Sequence, residues 1–439
     1  MKHILKFVCI FTIMICVFLT LLVLTSMIPS EYIRENVIDS SELLSQEGNK
    51  RKINIPMKGL VQFDNYTDSL MINTAYSIDS STPLYSSLVA RKNYIPNVTE
   101  QIYEDISGEL KSASKYEEEY NPVGELKDTL NGEVKESFEY ARYWHGYLCV
   151  LRPLLLVLNL KLIRILIMII LILLAVFFLK NIHKKLGIVY SILFLVGFIG
   201  VEYFYMGESI QGCFIFLITM IVMNILLRKN ANIKNIPMCF FVIGMITNFF
   251  DFLTNPVITL GMPVMLIFLL KQKEKELGVK ETIKIFVKTC IPWIIGYGLT
   301  WITKWVLVDV ICGKELIRTA MSQVLFRTKG TGQFSVSFAW MINMMYILCQ
   351  FVIEIIICVG IIVWGVIKNK KHLTHKEFLV KILPYIFIGI MPYIWYSILV
   401  DHSSKHSFFT YRNQILTLIS LLICCYKFFD TNQLQEEKR

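Results

Sequence analysis

Two aspartates, Asp64 and Asp68, stand four residues apart in FDNYTDSLM, and a third, Asp251, interrupts the apolar run ITNFFDFLTNPVITLG. If the first stretch is helical, the spacing puts both carboxylates on one face. Such a pair can act as a general base or chelate a divalent metal through hard oxygens. The same residues also make turns and surface caps. Asp251 is flanked by Phe249, Phe250 and Phe252. A carboxylate in apolar surroundings is costly and usually functional, while Pro256 just beyond also fits it as a cap on a following helix.

The cations gather in three short stretches. DHSSKHSFFTYR packs His402, Lys405, His406 and Arg412, with Asp401 adjacent. The two histidines have ligand-like spacing, but no Glu completes a zinc pattern. Histidine, lysine and arginine together suit an anion such as phosphate better. FRTKGTG adds Arg327 and Lys329. RYWHGY sets Arg142 beside Trp144, His145 and Tyr147. Aromatic rings with polar edges suit sugars. The bland readings are lipid-headgroup pairing for the bases and an interfacial aromatic belt for the rings.

The elements that must carry these residues are membrane helices. The 439-residue chain is 55% hydrophobic, with a mean hydropathy of +0.54, which excludes an ordinary soluble globule. Apolar runs long enough to span a bilayer occur at 4–28, 160–179, 187–205, 211–228, 237–251, 255–270, 285–308, 336–367, 379–400 and 413–428. Residues 143–159 read as an interfacial helix, and 429–439 as a cytoplasmic tail. Five basic stretches, MKHILK, KNIHKK, RKNANIK, KQKEKELGVKETIK and KNKKHLTHK, alternate with these spans and put both termini in the cytoplasm. All three groups of chemical residues then fall on the opposite face. Glu354 is the clearest ionisable residue at mid-membrane depth.

The net charge of +10 hides an asymmetry. Residues 29–142 hold 20 acids and 12 bases, −8, and the remaining 14 acids and 32 bases give +18. That pattern fits an acidic extracytoplasmic domain over lysine-rich loops, and it argues against a nucleic-acid partner. None of the 11 cysteines lies between Ile28 and Ala141, so this domain is held without disulfides. The expected fold is an all-α polytopic membrane protein of about ten transmembrane helices, with a mixed α/β domain at 29–142. In that domain, 59–73 reads as a strand entering a helix and 97–120 as an amphipathic helix. EGNKRKIN and NPVGELKDTLNGE read as turn-rich loops.

A first helix, a large outer loop and many further helices resemble the GT-C superfamily of membrane glycosyltransferases. DFLTNPVITLG, YWHGY, FDNYTDSLM and HSFFTYR look more closely like a family of bacterial integral membrane proteins associated with cell-surface polysaccharide genes. The resemblance implies transfer of a sugar from a polyprenyl-phosphate carrier to an envelope glycan, lipid or protein, on the outer face of the plasma membrane. Asp64 or Asp68 would then take the acceptor proton. His402, Lys405, His406 and Arg412 would hold the leaving phosphate, with Asp251 and His145 orienting groups at the site. The superfamily places its key acid soon after the first helix. Here PSEYIRENVIDSSE offers Glu31, Glu35 and Asp39 and no Asp-x-Asp, so the catalytic acid stays open between Asp64, Asp68 and Asp251. The expected partners are membrane lipid and the lipid-linked sugar. No nucleotide cofactor is implied, since no Gly-rich phosphate loop is present. The competing functions are a flippase or transporter of lipid-linked saccharides, and a non-catalytic envelope assembly protein.

Overall fold

The computed structural model describes residues 2–56, 58–94, 121–134, 136–232, 234–329, 333–350 and 375–436. The helix expected at 97–120, Glu354, the second half of the span at 336–367 and the side chain of Lys329 lie outside what is described.

In chain order the elements are α1 (Lys2–Ser26), α2 (Arg34–Glu47), β1 (Lys50–Ile55), β2 (Gly59–Asp64), α3 (Asn65–Tyr76), α4 (Pro83–Val89), β3 (Arg91–Tyr94), α5 (Pro122–Asn131), β4 (Glu136–Glu139), α6 (Leu148–Leu155), α7 (Leu160–Leu186), α8 (Ile188–Gly200), α9 (Ile210–Arg228), α10 (Ile236–Phe250), α11 (Ile258–Glu274), α12 (Val279–Cys312), α13 (Leu316–Lys329), α14 (Val336–Gln350), α15 (His375–Ile398), α16 (Val400–Lys405), α17 (Ser407–Thr410) and α18 (Ile415–Glu436). Among the described residues, seven helical segments are long and apolar enough to cross a membrane: Ile4–Ser26, Leu160–Leu186, Ile188–Glu208, Ile210–Arg228, Val279–Cys312, Leu379–Ile398 and Ser407–Lys427. The chain is therefore a helical, polytopic membrane protein. The spans read at 237–251, 255–270 and 336–367 meet shorter described helices, α10, α11 and α14. A 15-residue helix such as α10 is about 22 Å long, short of a hydrocarbon core of about 30 Å.

Helix starts follow local chemistry. Asn159, Ser209 and Asn235 cap α7, α9 and α10 by accepting the N–H of Leu162, Gly212 and Met238. The central helix is α11, in which every residue from Ile258 to Leu270 is buried. A helix apolar all round belongs inside a bundle. At the α10–α12 crossing, Gly244 and Gly296 meet the main chain of the opposite helix, so a Cβ at either would collide with the carbonyl of Trp293 or Phe241. Small residues let membrane helices approach this closely.

The segment from Ser30 to Glu139 sits on one end of the bundle. It contains helices and two antiparallel two-stranded sheets, β1–β2 and β3–β4. Two stretches expected as loops are ordered elements. KRKINI forms β1, paired with β2 from Lys50↔Asp64 to Ile55↔Gly59. Residues Pro122–Asn131 form α5, because Asn121 accepts the Gly124 N–H as N-cap, Pro122 fills the first turn and Gly132 closes the end in the left-handed region. The Asn-Pro pair is thus a helix start and not a turn.

Arg152 locks this segment to the bundle. It is fully buried, and its guanidinium donates to the carbonyls of Thr25, Ala75 and Ile28. Those carbonyls belong to the end of α1, the end of α3 and the second residue past α1. At the other end of the bundle the lysine loops meet. Lys185 donates to Leu227 O and Asn230, and Lys273 donates to Lys185 O.

Candidate functional site

Asp64 and Asp68 fall in different environments despite their spacing. Asp64 ends β2 and caps α3, accepting the Thr67 N–H at 3.2 Å and the Thr67 hydroxyl at 2.6 Å. It is half-buried, and burial raises its carboxyl above the usual carboxylate range. Asp68, in the first turn of α3, is fully buried. Its Oδ1 accepts the Ile210 and Gln211 N–H groups at 3.0 and 3.4 Å, at the positive end of α9. Its Oδ2 accepts from Arg164 at 3.2 Å. Burial pushes Asp68 up to about 6, with Arg164 opposing. Arg164 also reaches Glu47 at 2.7 Å and Asn65 at 2.9 Å. Asp68 is therefore an anchor whose oxygens are engaged, and sequence spacing gave no sign of Arg164, 96 residues away.

Asp251 has four donors. Leu253 N–H and Thr254 N–H each donate at 2.9 Å, the Thr254 hydroxyl at 2.7 Å and the Tyr297 hydroxyl at 3.1 Å. The acid folds its own loop and ties it to α12. It does not cap α11. Leu253 is held in the left-handed region, with φ 63°, a strained state for a branched side chain that the surrounding bonds over-determine.

RYWHGY is a buried corner. The Trp144 indole donates to Thr300 O at 2.8 Å. His145 Nε2 donates to Tyr140 O at 2.6 Å, so its Nδ1 faces the Tyr147 hydroxyl at 3.3 Å as acceptor. Burial lowers His145 to about 3, keeping it neutral. Gly146 presses on Phe249, where a Cβ would overlap the carbonyl. The corner's product is the position of Arg142. Its carbonyl accepts the indole N–H groups of Trp301 and Trp305 at 3.0 and 3.1 Å, and its guanidinium lies 5.5 Å over the Tyr140 ring.

Arg142 and Arg327 line one cavity of about 460 Å³ between α12, α13 and α15. The rest of its lining is almost entirely apolar, dominated by Trp293, Trp301, Trp305, Trp395, Tyr143 and Tyr297. Ile294, Ile394 and Ile398 line it and are 59%, 54% and 51% exposed, so the cavity opens sideways through the outer surface of the bundle. Among the described residues no carboxylate ion-pairs with either guanidinium. Arg327 instead donates to His402 Nδ1 at 2.9 Å, and His402 Nε2 meets Leu253 O at 2.9 Å. A carbonyl only accepts, so Nε2 carries the proton and neutral His402 holds Arg327 through Nδ1. Burial, His406 and Arg327 keep His402 well below its ordinary pKa. His406 is lowered to about 3 by burial and stacks on Phe409 at 5.3 Å. Lys405 pairs with Asp401 at 3.2 Å.

The loop after Asp251 walls two spaces. Leu253 and Val257 face the apolar cavity, while Thr254 and Asn255 face a narrow cleft with Asp64 and Arg412. No family model matches the chain, and neither does any curated protein or solved structure. The chemistry must therefore be read from the geometry. The structure brings Arg142 to Arg327 and Asp64 to Arg412. It puts Trp144, His145, Tyr147, His402, Lys405 and His406 behind these spaces, outside their lining. Among the described residues no three His, Cys, Asp or Glu gather to hold a metal ion. The tryptophans of α12 and α15 were missed in the sequence, where they read only as parts of apolar spans.

Proposed function

We propose that the protein is a membrane glycosyltransferase that uses a polyprenyl-phosphate-linked sugar, with ten spans, cytoplasmic termini and its site on the outer face of the bacterial plasma membrane. The observation that carries this reading is the lateral apolar cavity headed by Arg142 and Arg327. A lipid chain in a bilayer gains little by moving from lipid to an apolar groove. Selection must therefore come from the head, and two guanidiniums with no carboxylate at ion-pair distance among the described residues suit a phosphate.

In the proposed reaction the acceptor hydroxyl attacks the anomeric carbon. Its oxygen–carbon bond forms as the bond from that carbon to the phosphate oxygen breaks, and the proton passes to Asp64, which requires the Asp251–Val257 loop that separates the two spaces to move aside when donor and acceptor meet. Arg142 and Arg327 hold the leaving lipid phosphate, whose charge grows in the transition state. Asp64, with its raised affinity for a proton, is the better base, since it is half-buried, lines a cleft and is held only by Thr67, whereas Asp68 is fully buried against Arg164 and the start of α9 and Asp251 against its own loop and Tyr297.

The test is transfer of a labelled sugar from polyprenyl phosphate to endogenous acceptor in proteoliposomes. Activity lost in both Asp64→Asn and Arg142→Gln with folding intact is the expected result. Wild-type rates in both variants would remove the reading.

A further inference from the structure

The wall of the lateral groove carries a third polar group besides its two guanidiniums. Tyr143 lines the groove together with Arg142 and Arg327. Its ring is held from several sides. Phe252 packs against it at 4.9 Å, Trp301 lies nearly parallel at 6.1 Å, and Tyr140 meets it edge-on at 5.5 Å. The Arg327 guanidinium stands 6.0 Å from the ring centroid. The residue is only 6% exposed. A ring fixed in this way sets its hydroxyl in one place, so little side-chain entropy is lost when a ligand binds.

The other hydroxyls of the lining are engaged. Tyr297 donates to Asp251 at 3.1 Å and Thr328 to Leu325 O at 3.0 Å. Three indoles are engaged as well, Trp301 and Trp305 with Arg142 O and Trp293 with the Thr259 hydroxyl. Trp395 Nε1 is unpaired but shut off from accessible surface. The Tyr143 hydroxyl has no hydrogen-bond partner among the described residues, and unlike Trp395 Nε1 its oxygen is not shut off. A buried tyrosine hydroxyl normally finds a partner. Neither arginine can accept its hydrogen, since a guanidinium only donates. Burial pushes the phenol up to about 12, with Arg327 opposing, so at neutral pH the hydroxyl keeps its hydrogen and can donate it. The three groups together are donors, and their common complement is an anion with several acceptor oxygens.

We propose that Tyr143 is a further binding residue of the groove, donating its hydroxyl hydrogen to the lipid phosphate that Arg142 and Arg327 hold. The inference rests on the reading of the groove as a lipid-phosphate site, and it divides the work within that site. A guanidinium attracts an anion over several ångströms, whereas a hydroxyl on a fixed ring contributes only at hydrogen-bond distance and angle. Tyr143 thereby fixes where the phosphate comes to rest. Taking a charge out of water without a paired cation costs more than one hydroxyl returns, so the arginines create the preference for phosphate and Tyr143 sharpens it.

The test is Tyr143→Phe in the purified full chain in detergent micelles, with binding of polyprenyl phosphate and of the matching polyprenol read by native mass spectrometry. Phenylalanine keeps the ring and its packing and removes one oxygen that bonds to nothing in the protein, so the unfolding midpoint should match that of wild type. Binding of the phosphate lipid is expected to weaken on the order of tenfold, and binding of the alcohol by less, so that the preference for phosphate narrows. An unchanged preference would overturn the proposal, because the hydroxyl would then be idle. Equal weakening of both lipids would overturn it too, because Tyr143 would then only shape the groove. Wild type is measured alongside. If wild type itself shows no preference for phosphate, the lipid-phosphate reading falls together with this inference. If wild type shows the preference and Tyr143→Phe keeps it whole, this inference alone falls.

Discussion

Asp64 and Asp68 show how far residue spacing reaches. Four residues apart, they suggest a shared helical face, yet α3 begins at Asn65 and leaves Asp64 outside as its cap. Residue type and spacing could flag the pair. They could not divide the roles, because Arg164 and the start of α9 arrive from distant sequence. The roles separate by mutation. Asn is as good an N-cap as Asp, so Asp64→Asn should unfold within about 0.5 kcal/mol of wild type while transfer falls roughly 10²–10⁴-fold. Unfolding curves and transfer rates on the same preparation check this. Asp68→Asn should do the reverse and destabilise first. It leaves Arg164 with less compensation, and breaking a buried ion pair costs about 3–5 kcal/mol. Arg164→Gln should cost a similar amount, and the double variant less than the sum of the two. Additive losses would show that the pair does not act as a unit.

At the scale of elements, the loop from Asp251 to Val257 and helix α12 shape the site. The apolar run with one acid was legible as a special place. Its role as a wall between two spaces was not, because that depends on Tyr297 from α12 and His402 from α16. Asp251→Asn swaps one acceptor oxygen for a donor, so at least one of its four incoming bonds is lost, at about 1–3 kcal/mol. Thermal unfolding of that variant measures it. Gly298 gives a cleaner probe of the groove. It lines the cavity, and a Cβ there meets nothing within 4 Å. Gly298→Leu should therefore keep the fold and fill the groove, abolishing transfer with an unfolding midpoint near that of wild type. Normal transfer in Gly298→Leu would show that the groove holds no substrate. The strand-to-helix change within 59–73 was readable from its pattern, whereas α5 was hidden by an Asn-Pro pair that looks like a turn.

For the whole molecule, hydropathy made the membrane class and most helices legible, and three of the lysine-rich loops meet one another through Lys185, Asn230 and Lys273. The tryptophan-lined groove was not legible, since composition does not say which face of a helix meets lipid, protein or substrate. Burial of histidine is another property of the assembled molecule. His145 and His406 are each lowered from about 6.5 to about 3, so the stability from keeping them neutral is fully present above pH 6.5 and is lost as pH falls toward 3. The slope is at most about 1.4 kcal/mol per pH unit for each. Asp68, raised to about 6, works in the opposite sense between pH 6 and 3.8. The comparison to make is therefore with a variant. Between pH 7 and pH 5, His406→Phe, which can still stack on Phe409, should lose less stability than wild type. Equal losses would place His406 in contact with water.

The central claim is that Arg142 and Arg327 select a lipid by its phosphate. Native mass spectrometry of the full chain with polyprenyl phosphate, and separately with the matching polyprenol, measures this without any assumption about the acceptor. The account expects the phosphate lipid to bind at least tenfold more tightly than the alcohol, and expects Arg142→Gln with Arg327→Gln to erase that difference. Equal retention of both lipids by wild type, or an undiminished preference in the double variant, would contradict it.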